Sequence, residues 1–311
     1  MKKVIAILIV ISIFTLSIIY HDNIRNFFIK NIIDKIDNDQ HETDKIKNNE
    51  YASNRSYKFI QLTDDFRPDN KQDILNIYYT VIQSGMTEFT FYCSNKYENC
   101  IQDVDYISNN QKLLSHINNF VPVYNTFKNV ETNFTNHGKV TITIKHVYDE
   151  NEIVEINKKI DEIIKAVITD DMNNETKIKA IHDYIINNTK YDIEKADNNI
   201  NKYDSNTAYG ALIQGYAICG GYSDSMKLFL DKLGIPNFKI TSENHIWNVV
   251  YVNDNWYNLD LTWDDPVTST GEDVLDYSYF LITTDELFDL EKEQHIFDDD
   301  IYLELKEKEH N

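Results

Sequence analysis

The chain has 311 residues, 42% of them hydrophobic, and its 51 acidic against 30 basic side chains give a formal net charge of −21. That length is ample for a buried core in two domains or one large one, while scarce glycine and proline (8 and 4) beside plentiful tyrosine and phenylalanine (21 and 15) exclude a disordered or collagen-like chain. So acidic a balance argues against nucleic acid as a partner, because phosphate binding needs clustered Lys and Arg.

Lys2 and Lys3 precede an apolar run over residues 4–20, interrupted only by Ser12, Thr15 and Ser17. As a helix rising about 1.5 Å per residue it reaches about 25 Å, near the lower limit for crossing a bilayer. A cleaved secretory signal has a shorter apolar region ending in small residues, whereas Ile18, Ile19 and Tyr20 stand here. Residues 1–20 therefore read as an uncleaved signal-anchor, with a cleaved signal peptide as the alternative. The basic N-terminus stays in the cytoplasm, so the rest is expected outside, single-pass in the cell membrane, or secreted if the segment is removed. Residues 21–56 are polar, without a sustained apolar period, and read as a tether.

Residues 57–150 read as a small α/β accessory domain. Ile74, Ile77, Tyr78 and Val81 fall at helical spacing over 73–83, and Ser84-Gly85 ends that helix. EFTFYC at 88–93 alternates like a strand, and Gln111–Phe120 reads as a second helix. Residues 121–134 and 139–148 read as two strands joined by the turn signal Asn136-His137-Gly138. The region carries no legible chemistry.

Residues 151–311 open with two amphipathic helices, over 152–168 and 175–187. The second shows Ile178, Ile181, His182 and Ile185 on one face, so His182 reads as a core-edge histidine rather than a ligand. A helical segment at 209–213 precedes GYAICGG, and a helix then runs to Leu233 with Tyr222, Met226, Phe229 and Leu230 as its buried stripe. Gly234 stops it and Pro236 prevents its continuation. Strands are expected over 238–241, 245–252 and 256–261, the last two joined by a three-residue turn at 253–255. A tail rich in Asp and Glu closes the chain.

The three cysteines are Cys93, Cys100 and Cys219. Outside the membrane the first two can form a disulfide, which leaves Cys219 odd: an inert buried thiol or a reactive one. No CxxC pair, HExxH or EF-hand loop predicts a metal, and the glycines near Cys219 lack the GK[ST] of a phosphate loop. No cofactor is expected.

Cys219 sits where a glycine-containing loop turns into a helix, a place where free N–H groups and the helix dipole favour negative charge. Gly220 and Gly221 are expected to leave room for a substrate backbone. A thiolate needs a base or imidazolium partner, and the next histidine is His245, at the start of a strand. Asp260 ends the adjacent strand, and the midpoint between the two falls almost on the turn at 253–255. Antiparallel pairing then sets them nearly opposite, about 5 Å apart, close enough for the carboxylate to orient the imidazole. Asp264 and Asp265 are weaker candidates for that role and are expected in the turn before Pro266.

The blocks GYAICGGYSDSMKLFLDKLGIP and HIWNVVYVNDNWYNLDLTWDDP, in that order and spacing, resemble the transglutaminase-like superfamily of cysteine acyl-transfer enzymes. The resemblance covers residues 175–266; SYFLITTDEL in the tail looks like the segment after the aspartate block of bacterial members, and the region around EFTFYC resembles an N-terminal extension of some bacterial relatives. It implies an α+β, papain-like fold for 151–311, with the cysteine helix packed on an antiparallel sheet that carries the histidine and aspartate. By position it makes Cys219 the nucleophile, His245 the base and Asp260 its orienter. The implied activity is acyl transfer on amide bonds of proteins or peptides, including cell-envelope ones, through a thioester. Water as acceptor gives a protease or amidase, and a lysine amine gives a cross-link. Gln214 or Tyr209 is a candidate second oxyanion donor beside the Cys219 N–H. Trp247 and Trp263 either wall the cleft or pack the core. The alternative from a different class is a catalytically silent binding or scaffold module at the cell surface.

Overall fold

The computed structural model describes residues 43–267 and 274–306. The apolar run at 1–20 and the start of the polar tether lie outside the described residues. Among the described residues no helix is long and apolar enough to cross a membrane.

Helix α1 (Lys71–Gln83) starts where the Asn70 side chain accepts from Asp73 N, and it ends at Ser84, followed by Gly85 at φ +78°. Its buried face carries Ile74, Ile77, Tyr78 and Val81, as the spacing predicts. Strand β1 (Glu88–Tyr92) is followed by α2 (Cys100–Asn109) and α3 (Gln111–Phe120). The sequence pattern did not anticipate α2, although Val104 and Ile107 form its buried side. Cys100 at its start is disulfide-bonded to Cys93. Strands β2 (Phe127–Phe134) and β3 (Lys139–His146) complete an antiparallel sheet of order β1-β3-β2. β2 is shorter than the expected 121–134, because Pro122 has no N–H for a ladder and Val123–Asn125 close into a 3-10 turn.

The polar segment expected as a tether is packed from Asp44 onward. Asp44 N donates to Thr90 O at 3.0 Å, Asn49 N to Ser84 O at 2.9 Å, and Asn49 Nδ2 to Asn125 Oδ1 at 2.7 Å. A stretch without apolar period satisfies its backbone on β1 and the end of α1 instead of in an element of its own.

Helix α4 (Glu150–Val167) is started by a capping box between Asp149 and Glu152, and α5 (Asn174–Asn188) by Asn173. The two-residue strands β4 (Lys190–Tyr191) and β5 (Tyr216–Ala217) pair in parallel. Between them lie α6 (Ile193–Asn198) and a wide turn at Gly210–Gln214. Helix α7 (Cys219–Lys232) leads to the antiparallel sheet β6 (Asn237–Thr241), β7 (Ile246–Val252) and β8 (Asn255–Leu259), in that spatial order. The tail adds α8 (Thr284–Leu290), capped by Thr283 and Glu286.

The second sheet is buried on both faces, and β7 divides its side chains between them by simple alternation. Val250 and Val252 join Met226 and Phe229 of α7 and the isoleucines of α4 and α5. Trp247 and Val249, with Phe238 and Ile240 of β6, join the core of residues 57–150. Phe120 at the end of α3 lies 5.3 Å from the Phe238 ring and 5.7 Å from that of Tyr302. The first region thus packs on the back of the sheet whose front carries α7, an α+β arrangement with the cysteine helix on an antiparallel sheet.

Tyr302 clamps this junction. Its hydroxyl accepts from Asn119 Nδ2 at 2.7 Å and from Thr241 N at 3.2 Å, and it lies 2.8 Å from His116 Nδ1, to which it can donate. Tyr302→Phe removes the oxygen these buried groups share and is expected to cost about 2 kcal/mol. Urea denaturation checks this; a loss below about 0.5 kcal/mol would mean that water replaces the hydroxyl.

Candidate active site

Helix α7 begins at Cys219, with Ile218 extended before it and offering no side chain to cap the first turn. By contrast α1, α4, α5 and α8 each have a capping side chain. The positive end of the α7 dipole therefore lies at Cys219 without a side chain to cap it. Cys219 is partly exposed and is the free cysteine among the described residues.

The corner before Cys219 is tied down by loop 204–207. Ile218 N donates to Ser205 O at 2.8 Å, Asp192 N donates to Ala217 O at 2.8 Å, and the Ser205 hydroxyl bonds Asp192 Oδ2. This loop also explains the two glycines. A Cβ on Gly220 would overlap the Asn206 carboxamide and come within 2.8 Å of Asn206 O, and one on Gly221 would strike Ser205 O. The chain's own backbone, not a substrate, takes the space that Gly220 and Gly221 leave, which corrects the expectation for that pair.

His245 is fixed just before β7 by a tight turn, in which Ser242 N donates to His245 O at 3.0 Å and His245 N to Ser242 Oγ at 3.1 Å. Asp260 follows the last residue of β8. The observed register pairs Val252 with Asn255 and Asn248 with Leu259. The turn is therefore the two residues Asn253 and Asp254, at φ +51° and +63°, as a type I′ turn requires, and not the three expected. Direct opposition of His245 and Asp260 is corrected to a diagonal relation two positions off. An even shift keeps both side chains on the same face, and diagonal neighbours remain within reach.

His245 Nε2 donates to Asp260 Oδ2 at 2.5 Å. Nδ1 is the ring nitrogen not used by Asp260, and Cys219 is near enough to the imidazole to contribute to its charge balance. Burial opposes the charged ring, but the adjacent Asp260 carboxylate with its hydrogen bond, and the neighbouring Cys219, outweigh it and raise His245 to about 10. Burial likewise works against the Asp260 carboxylate, yet His245 and its hydrogen bond hold that group well below the usual carboxylate range. The structure thus brings together Cys219, His245 and Asp260, with the histidine charged at neutral pH.

Other expected residues lie elsewhere. Gln214 is committed to Asp204, taking its N–H at 2.7 Å and donating to its carboxylate at 2.9 Å. Tyr209 donates to Glu155 at 3.2 Å. The polar side chain packed at the Cys219–Gly220 corner is instead that of Asn206. Trp247 is buried and lies nearly parallel to the His245 ring, centroids 5.7 Å apart, with its Nε1 donating to Asn258 Oδ1. It backs the imidazole rather than walling a cleft. Trp263 packs on Tyr279 and His295. His182 is buried completely, its Nε2 donating to Asp264 Oδ2 at 3.1 Å. Asp264 also accepts from Tyr279 N at 2.8 Å, and burial raises it. It braces the structure beside the site, while Asp265 accepts from the Tyr222 hydroxyl.

Two neighbours carry no signal in the sequence. Tyr191 of β4 pairs with Ala217, two residues before Cys219, and burial raises its phenol. His295 Nε2 donates to the same Asp260 Oδ2 at 3.1 Å. The ligating atoms of His245, Asp260 and His295 lie within 4.8 Å of one another, but they are spent on these mutual hydrogen bonds.

Residues 161–261 match the family model of the transglutaminase-like superfamily. Over those residues the chain is similar to a transglutaminase-like domain. Solved structures similar to the chain include the crystal structure of a TGase, at 17% identity over 44% of each chain with a TM-score of 0.33. Another is a protein of Cytophaga hutchinsonii described as a candidate cysteine protease, at 15% identity over 50% of this chain and 69% of that one, TM-score 0.28. The chain thus spans less than half of the first structure. No curated protein matches it.

Cys219, His245 and Asp260 all fall inside the matched transglutaminase-like segment, and His295 lies beyond its end. Because the ion pair raises His245, its stabilisation is full below the unfolded imidazole value near 6.5 and fades as pH rises toward about 10. Because it lowers Asp260, that stabilisation is full above the unfolded carboxylate value near 4 and fades in acid. Asp260→Asn is therefore expected to cost about 3 kcal/mol near pH 6, and less by about pH 9.5. Urea unfolding of both proteins across that range measures it; a pH-independent difference would contradict the charged pair.

Proposed function

We propose that the chain is a cysteine-dependent acyl-transfer enzyme acting on amide bonds of proteins or peptides outside the membrane. The observation that carries this reading is the buried His245–Asp260 pair, with the free Cys219 beside it at the uncapped start of α7. The paired imidazolium stabilises a thiolate on Cys219. The sulfur attacks the amide carbonyl carbon, and the Cys219 N–H helps to hold the oxyanion. His245 gives its proton to the departing nitrogen as the C–N bond breaks, leaving a thioester and a neutral imidazole held by Asp260. Water or a primary amine then attacks the thioester, His245 takes its proton, and the sulfur leaves as thiolate again. Water makes the chain a protease or amidase, and a lysine amine makes it a cross-linking enzyme.

The Cys93–Cys100 disulfide supports an oxidising compartment, and with the apolar run at 1–20 it favours a catalytic domain displayed outside the cell membrane. A silent scaffold has no use for a charged histidine between a partly exposed cysteine and a buried carboxylate, so the enzyme is the reading adopted.

The test measures two products from one protein mixture: free amine released from peptide substrates, and a fluorescent primary amine incorporated into acceptor proteins. Cys219→Ala is expected to lower both by about a thousandfold or more. Turnover that survives this substitution would sink the mechanism. Binding of a partner without turnover, unchanged in Cys219→Ala, would establish the scaffold.

A further inference from the structure

Resting on that reading, we infer that His295 is a positioning residue of the reaction, which locks the Asp260 carboxylate in the orientation that serves His245. The first ground is the geometry of Asp260. Its Oδ1 accepts from Thr262 N at 2.9 Å, and its Oδ2 accepts from His245 at 2.5 Å and from His295 Nε2 at 3.1 Å. Without His295, Oδ2 keeps only His245, the ring it orients, and the remaining restraints, from Thr262 N and Trp263 N, fall on Oδ1.

The second ground is the way His295 itself is held. Its Nδ1 faces Glu291 O at 2.9 Å and Glu291 Oε2 at 3.0 Å, so each ring nitrogen looks at an acceptor, and the tautomer with its N–H on Nε2 donates to Asp260. The rings of Trp247, His245, Trp263 and Tyr279 surround it at centroid distances of 4.9, 5.3, 5.7 and 5.8 Å. The charged or titratable groups facing it are therefore Asp260, Glu291, His245 and Tyr279. His295 is wholly buried, so it touches no substrate and acts only through Asp260.

A third ground is where His295 comes from. It lies just after α8, in a tail that Tyr302 fastens to α3 and β6. Nothing in the packing of α7 on the sheet calls for a buried imidazole behind Asp260, and a hydrocarbon side chain would fill the aromatic cage without desolvating a second polar ring. The histidine is explained by the carboxylate oxygen it restrains.

The test uses the full chain and records iodoacetamide alkylation of Cys219 against pH, read by peptide mass spectrometry, beside kcat and KM for amide turnover. His245→Ala, His295→Ala and His295→Gln run with the wild type. Gln carries an amide N–H that reaches the place of the imidazole Nε2. His295→Ala is expected to lower kcat about tenfold to a hundredfold, the worth of one charge-assisted hydrogen bond, with KM little changed. It is also expected to move the acid limb of alkylation upward in pH, because a loosened Asp260 holds the imidazolium less firmly, and His295→Gln should recover most of both effects. The inference is overturned if His295→Ala leaves kcat within about twofold and the limb in place. It is overturned equally if the Ala and Gln variants lose activity and thermal stability together with the limb unmoved, which is the mark of a packing role. If His245→Ala leaves the limb unmoved, the acyl-transfer reading falls first and takes this inference with it. A limb that moves in His245→Ala but not in His295→Ala removes the inference alone.

Discussion

The arrangement of the site depends on one buried carboxylate. Asp260 sits at the end of β8, where the chain leaves the sheet, and its two oxygens collect donors from a backbone turn, from the strand opposite and from the tail. Burying such a charge is unfavourable unless it is paired, and the pairing raises His245 to about 10 while lowering Asp260 itself. The histidine charge in turn faces a cysteine at an uncapped helix start. Each polar group in the line is stabilised by the next, so the line is set by the folded scaffold itself.

The scaffold that holds this line is shared between parts of the chain that the sequence separates. The sheet β6-β7-β8 has α7 on its front and the first region on its back, so Phe120 and Phe238 belong to one core. The tail crosses the same junction, and Tyr302 joins α3 to β6 there. Through this packing the described residues before 150 support the strands that present His245 and Asp260. Loop 204–207 does the same for Cys219, pressing so close to α7 that Gly220 and Gly221 can carry no side chain.

Particular residues show why some of this was legible and some was not. The helices with apolar stripes, α1, α3, α4, α5 and α7, were readable because burial of one face imposes a local period. The His245–Asp260 contact was also readable, although by a register two positions off. Asn253 and Asp254 both adopt positive φ and close a two-residue turn, and the error was even, so the face survived. An odd error would have turned Asp260 away from His245. By contrast Gln214 and Tyr209 looked like oxyanion donors only because they precede the cysteine in sequence. The turn at Gly210–Gln214 carries them off toward Asp204 and Glu155.

The sequence by itself determined the identity of the candidate site groups and their local setting. These are a cysteine that opens a helix, a histidine and an aspartate on neighbouring strands, and a cysteine pair outside the domain. All of these depend on residue type and short spacing, which the chain carries wherever it folds. The tertiary structure alone decided which polar groups converge on them. It placed His295 behind Asp260, Trp247 against the imidazole, and Asn206 at the Cys219 corner. Those neighbours come from a tail and a loop without period or motif, and they meet the site because both cores close on the same sheet. Contacts of that kind are fixed by how large surfaces pack, and no local pattern in the chain records them.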